Sequence, residues 1–422
     1  MKLASTFAIG AALAALTVPA AAQRMGQERP KDAKPQMETK TTTTGATSTS
    51  GRKLNISKEA QAAIVQLQTA VNANDTATIP AKLAAAQAVA KTADDRYFIA
   101  INQVKAALAA NDLAAIKAGV EAMEASGAAE PADLAKRYAD LGNRYNKAGQ
   151  AAPAAAALQK AIALDANNPS AMMLLADLRA KAGNNAEAVS LMQRSFAASK
   201  ARGEKVAENN YKFAAGLAHK LRSPAALDIT REWLTAYPST NNWREGLRLY
   251  RDISAAKGAH LADAMRLARA GGAVSGRSDY FAYTSALLES GALTEAKAVL
   301  AEAAASGINV NDSSFKTLST KAAAAPARAA VDAKAKAALA GGNAAALIAA
   351  GDAYYGLGAY AEAAPLYRAA VAKGDTGLGN LRLGMALARA GDKAAAQAAL
   401  NAVAGPNQAL ARFWALWLTT RG

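Results

Sequence analysis

The amino-acid sequence predicts an all-α protein: an α-solenoid, a right-handed superhelix of helical hairpins, behind an N-terminal leader and a disordered linker. Three observations carry that expectation. Alanine-rich apolar segments of helical period run from about Ser57 to Leu418, broken at Asn74-Asp75, Asn111-Asp112, Gly127, Gly149, Gly183-Asn184 and Gly391-Asp392. No strand-like alternation interrupts them. One pattern of large and small residues over about 34 positions recurs along the chain, the mark of hairpins that bury their apolar faces on copies of themselves.

Residues 1–22 read as a secretory signal peptide. Lys2 supplies the positive start, Ala8 to Val18 the apolar middle, and Ala20-Ala21-Ala22 the small residues a signal peptidase requires, so cleavage is expected after Ala22. The middle is short, mostly alanine, and ended by Pro19, which suits a cleaved leader better than a retained anchor. The expected destination is outside the cytosol, in the periplasm if the source is Gram-negative. No later segment reaches about 18 uninterrupted apolar residues, so no transmembrane segment is expected after cleavage.

Residues 23–56 have almost nothing to bury and carry a Thr/Ser tract from Thr39 to Ser50, which predicts a disordered linker. A coil of about 30 residues spans roughly 30 Å. Residues 57–130 keep the helical period without the recurrent pattern and are expected to be divergent helical hairpins. Repeats are expected over 131–256, degenerate repeats over 257–340, and further repeats with a capping helix over 341–422.

The pattern is fullest in residues 135–168, where Tyr138, Leu141, Gly142, Tyr145, Gly149, Ala154, Leu158 and Ala161 fall at fixed offsets. This segment resembles one tetratricopeptide repeat. Met172, Leu175, Ala176, Gly183, Ala188 and Met192 repeat the offsets directly after it. A third, degenerate unit keeps Phe213, Ala226, Thr230, Trp233 and Pro238, and a fourth keeps Tyr280, Tyr283, Leu287, Gly291, Ala296, Leu300 and Ala303. Near the end, Leu347, Gly351, Tyr354, Gly358, Ala363, Tyr367 and Ala370 make one copy, and Leu383, Gly384, Leu387, Gly391, Ala396 and Leu400 another. In the closing segment Phe413, Trp414, Leu416 and Trp417 lie on a last helix, expected to cover the open end of the array, with a docking helix for a partner as the competing reading.

The resemblance implies a groove lined by the first helix of each unit, at its second, fifth, ninth, twelfth and thirteenth positions. Those are Lys136, Ala139, Asn143, Asn146 and Lys147 in the first unit, then Ser170, Met173, Asp177, Ala180 and Lys181 in the second. The partner-binding residues expected from this set are Asn143, Asn146, Lys147, Met173, Asp177 and Lys181, which suit an extended peptide. Asn143 matches the asparagine with which some members clamp a peptide's C-terminal carboxylate. Ala139 and Asp177 stand where that clamp has a lysine and an asparagine, so its specificity is not carried over.

The chain has no cysteine, hence no disulfide, thiol nucleophile or cysteine metal site. His219 and His260 are the two histidines, and neither has a second ligand at metal spacing. No phosphate-cradling or nucleophile motif is present, so no cofactor and no catalytic residue are expected. Asp94-Asp95 reads as a helix start, and Glu121 and Glu124 as a solvated face rather than a catalytic pair. The net charge of +16 would suggest nucleic acid, but export argues against it. An acidic protein, an anionic envelope polymer or a membrane surface are the remaining candidates, and Arg244, Arg248 and Arg251 form a basic stripe at helical spacing that could meet one.

The function expected is a non-catalytic, exported scaffold that binds a protein or peptide in the cell envelope, with assembly of an envelope structure as its setting. The alternatives are a helical-array enzyme acting on peptidoglycan and an electrostatic binder of an anionic polymer.

Overall fold

The computed structural model describes residues 53–420. The expected leader and residues 23–52 of the expected linker lie outside the described residues. Leu54, inside that expected linker, is buried in the core that α1 joins, and Ile56 packs half-buried against the same core.

Among the described residues the structure is all helix, in 21 α-helices. They are α1 (Lys58–Asn72), α2 (Ile79–Val89), α3 (Ala93–Ala109), α4 (Leu113–Ala125), α5 (Pro131–Lys147), α6 (Ala151–Leu164) and α7 (Pro169–Lys181). Next come α8 (Asn185–Ala201), α9 (Glu208–Lys220), α10 (Ala225–Ala236), α11 (Thr240–Ile253), α12 (Gly258–Ala270), α13 (Gly276–Glu289) and α14 (Leu293–Ala305). The last seven are α15 (Ser313–Ala322), α16 (Arg328–Gly341), α17 (Ala344–Gly356), α18 (Tyr360–Ala372), α19 (Leu378–Ala390), α20 (Lys393–Asn401) and α21 (Gln408–Thr420). Consecutive helices pack as hairpins through α14, and again as α17 with α18 and α19 with α20. The fold is an all-α solenoid.

The first described helix, α1, is anchored by one carboxylate. Asp95 accepts from the Ser57 N–H at 2.8 Å, the Ser57 hydroxyl at 2.7 Å and the Thr92 and Lys91 N–H groups at 2.9 Å. It also completes a capping box with Thr92 at the start of α3, where the sequence placed a helix start.

The repeat pattern is a packing pattern. Tyr138, Leu141, Ala154, Leu158 and Ala161 are buried, and a Cβ on Gly142 would sit 2.6 Å from Leu158 Cγ. The same conflict, 2.6 Å in each case, would arise between Gly351 and Tyr367 Cε1 and between Gly384 and Leu400 Cγ. Each pair lies sixteen residues apart (142 to 158, 351 to 367, 384 to 400), so one small residue per unit lets the two helices close. Gly149 ends α5 with φ +74°, a left-handed turn that favours glycine.

In the third unit the expectation for Phe213 is corrected: its side chain is 47% exposed. The core face of α9 is instead Tyr211, Ala214, Ala215 and Ala218. Tyr211 takes the aromatic place, 4.7 Å from the Phe196 ring and 6.4 Å from that of Tyr237, and this turns Phe213 outward.

The last helix also departs from expectation. Phe413 and Trp414 are fully buried, with Phe413 edge-on to Tyr250 at 5.4 Å and Trp417 against Gly271. Thus α21 does not only cover α20: it closes the C-terminal helices back on α10, α11 and α12, and one apolar core joins Leu234, Trp243 and Leu267 to Leu347, Leu381 and Leu418. In the return, α14 packs directly on α17, with α15 set against α13 and α14, and α16 against α17 and α18. Gly356 makes the α14 contact possible, since a Cβ there would lie 2.4 Å from the Glu295 nitrogen.

A buried charge cluster ties the closure. Arg266 on α12 donates to Asp263 at 2.6 Å and to Glu295 on α14 at 2.6 and 2.8 Å. Arg382 on α19 donates to Asp352 on α17 and lies 3.4 Å from Asp263. Tyr283 donates to Glu295 at 2.5 Å and Tyr367 to Asp352 at 2.7 Å, while the Tyr355 ring lies 5.0 Å from the Arg266 guanidinium.

Three outcomes follow from this packing. Leu158→Ala is expected to lower stability by about 2 to 5 kcal/mol and Ala154→Trp by about 1 to 3 kcal/mol, both read from urea unfolding. Arg266→Met removes the guanidinium nearest to Asp263 and Glu295, leaving them only Arg382 and Tyr283 with a distant Arg269, and is expected to cost about 3 to 5 kcal/mol, whereas Arg202→Met, at a half-exposed pair with Asp165, stays under about 1 kcal/mol. Burial alone would raise the Asp95 pKa, but the Thr92 and Ser57 N–H groups, the Ser57 hydroxyl and the Lys91 N–H outweigh it and lower the value from 3.8 to about 2. A depressed folded-state value stabilises above the unfolded pKa and is lost as pH falls through 4 towards 2. Asp95→Asn should therefore remove roughly 2 kcal/mol at neutral pH and flatten the acid limb of the stability profile.

Candidate functional site

A large cleft lies where the chain closes on itself, with a volume of about 800 Å³. One wall is α17, whose Ala345, Ile348, Ala349 and Asp352 follow the i, i+3, i+4, i+7 spacing of a single helix face. The facing wall is α16 with Val331 and Lys334, and the ends are the α13–α14 turn, from Ser290 to Thr294, and the start of α19 with Asp375, Leu378 and Arg382. Thr294 donates to the Ala353 carbonyl at 3.1 Å, which fixes the α14 end of the cleft against α17.

The alanines make the space and the charge cluster makes the floor. Asp352 holds both Tyr367 and Arg382 and lies 4.0 Å from Arg266. Burial opposes charge on Arg266, yet Glu295, Asp263 and Asp352 hold its guanidinium protonated well above the usual arginine range. Arg382 is raised in the same way, by Asp263 and then Asp352 against burial. Burial, reinforced by the neighbouring carboxylates, pushes Tyr283 and Tyr367 well above the usual phenol value, so both stay neutral donors. Asp375 is occupied as a cap, accepting from the Leu378 and Gly379 N–H groups at 3.1 and 3.2 Å.

The residues expected from the first two units are distributed differently. Asn143 and Lys147 line a separate, shallower cleft of about 430 Å³ with Asn111 and Leu113. Asp177 and Lys181 pair with each other at 2.6 Å on α7. Met173 packs half-buried on the core, and Asn146 is half-buried on α5. In the basic stripe, Arg244 donates to the Ala273 carbonyl at 3.2 Å, and Arg251 to Asp279 at 3.3 Å and to the Met265 sulfur. Arg248 is exposed, 3.8 Å from both Glu245 and Asp252.

The groups weighed for chemistry have structural partners. His260 Nε2 lies 2.8 Å from the Tyr250 hydroxyl, and His219 lies 3.6 Å from Asp252. Glu121 pairs with Lys117 at 2.7 Å, and Glu124 with the Tyr138 hydroxyl at 2.6 Å and Lys160 at 2.7 Å. The C-terminal cleft was within reach of the same sequence rule. Counting the second, fifth and ninth positions from Ala344 selects Ala345, Ile348 and Asp352, three residues of its wall.

No family model matches the chain, and no curated protein matches it. Among solved structures it is similar to a tetratricopeptide repeat protein from Parabacteroides merdae, at 13% identity over 69% of this chain and 99% of that one, with a TM-score of 0.30. It is also similar to the MamA protein, at 14% identity over 47% of this chain and 94% of that one, with a TM-score of 0.28. The third is YrrB, described as a TPR protein with an unusual peptide-binding site, at 14% identity over 59% of this chain and 90% of that one, with a TM-score of 0.22. The recurring closure of Gly142 on Leu158, Gly351 on Tyr367 and Gly384 on Leu400 makes the chain a solenoid of helical hairpins.

Proposed function

We propose that this chain is an exported, non-catalytic scaffold that binds a protein partner in its C-terminal cleft, in the periplasm if its source is Gram-negative. The observation that carries the reading is the cleft: about 800 Å³, at the inner-face positions of a repeat, walled by alanines that admit another backbone. Its volume is that of an ordinary binding site, and Asp352 and Arg382 set paired charges at its floor. Helical-repeat arrays bind along such surfaces. The leader-like sequence of residues 1–22 supports the export step, and on that reading the partner is an envelope protein and the setting the assembly of an envelope structure.

Two measurements test it in cells of the protein's own source. A photo-reactive residue at Ala349, in the cleft, is expected to crosslink to a partner protein, while one at exposed Lys373, outside the cleft lining, is not. Equal yields at the two positions, or none at Ala349, would overturn the binding site. Sequencing of the accumulated chain is expected to begin at Gln23, and a chain that keeps Met1 would overturn export.

A further inference from the structure

The charge of the cleft points to the chemistry of its occupant, on the partner-binding reading above. Behind the α17 wall three carboxylates, Asp263, Glu295 and Asp352, face two guanidiniums, Arg266 and Arg382, so the cluster holds one negative charge in excess (three less two). Arg269 reaches Glu295 at 3.9 Å but is matched by its own partner, Glu302. At the cleft rim Asp375 and Lys334 contribute one charge of each sign. The charged side chains that line the cleft balance, Lys334 and Arg382 against Asp352 and Asp375, and the one excess negative charge lies in the buried cluster directly behind them, on a chain of net charge +16.

Asp352 is where that excess meets the opening. Its side chain keeps 13% exposure, against 1% for Asp263 and Arg266, 0% for Glu295 and 4% for Arg382. Above it the walls are Ala345, Ile348, Ala349 and Val331, which offer apolar surface to a methylene stem. Lysine and arginine have that construction: an aliphatic stem that packs on apolar walls and a cationic head that seeks a carboxylate. A metal ion is a poor fit, because no group of three or more His, Cys, Asp or Glu side chains among the described residues could hold one.

We propose that the cleft takes an extended segment of a partner protein and that a lysine or arginine side chain of the segment reaches down the alanine walls to Asp352. The cation neutralises the excess charge without disturbing the Arg382 and Tyr367 contacts that hold the floor. An acidic segment would meet the same carboxylate and be repelled.

The test uses the full chain and a bead-bound library of random dodecapeptides, with Ala349→Phe and Ala345→Phe as two cleft-filling variants. Both alanines are exposed, so the added rings occupy the cleft without entering the core. Captured peptides are expected to be enriched in lysine and arginine and lost with either variant. Replacing the cationic residue of a captured peptide by norleucine should weaken binding by about tenfold or more. If the peptides are lost with the variants but norleucine weakens binding by less than about tenfold, the lysine or arginine proposal fails and the partner-binding reading stands. If no peptide is captured, or capture survives both variants, both fail.

Discussion

The structure depends on how closely two helices of one hairpin can approach. Gly142 against Leu158, Gly351 against Tyr367 and Gly384 against Leu400 leave no space for even one methyl group. Where the small residue recurs, the large residue opposite falls into register and the hairpin presents a fixed face to its neighbours. At α17 this constraint reaches the site. Gly351 draws in Tyr367, whose hydroxyl bonds Asp352, and Asp352 in turn holds Arg382 at the floor of the cleft. The closed form of the C-terminal helices and the chemistry of the opening share that chain of contacts.

The cluster is an expensive way to join helices, since five charged side chains leave water together. It succeeds because nearly every polar contact is met: the carboxylates take phenol and guanidinium donors, and Arg266 lies against the Tyr355 ring. An apolar junction between α12, α14, α17 and α19 would lack these directional contacts.

The hairpins were legible in the sequence because their signal is local: a period, a break and a small residue at a constant offset. Asp95 was legible as a helix start for the same reason, although its bonds to Ser57 were not. The return of α21 to α11 was invisible, because nothing near Phe413 or Tyr250 records that they meet. Phe213 misled because the offsets of a degenerate unit do not say which of two neighbouring aromatics turns inward, and Tyr211 already had Phe196 and Tyr237 beside it. Helical spacing aligned Arg244, Arg248 and Arg251, but not the Ala273 carbonyl and Asp279 that engage two of them. The groove rule was applied to the first two units, and only its extension to the unit starting at Ala344 selects residues on the wall of the large cleft, Ala345, Ile348 and Asp352.

The Arg382–Asp263 contact joins residues 119 apart in sequence, whereas the hairpins join close neighbours. Contacts between sequence neighbours form early, and those that must close a long loop form late. The N-terminal hairpins can therefore assemble while the chain is still emerging, but Asp263 and Glu295 wait uncovered until α17 and α19 arrive. A chain that stops before α21 also leaves open the apolar surface on α10 and α11 that Phe413, Trp414 and Leu418 cover, and such uncovered surface favours aggregation.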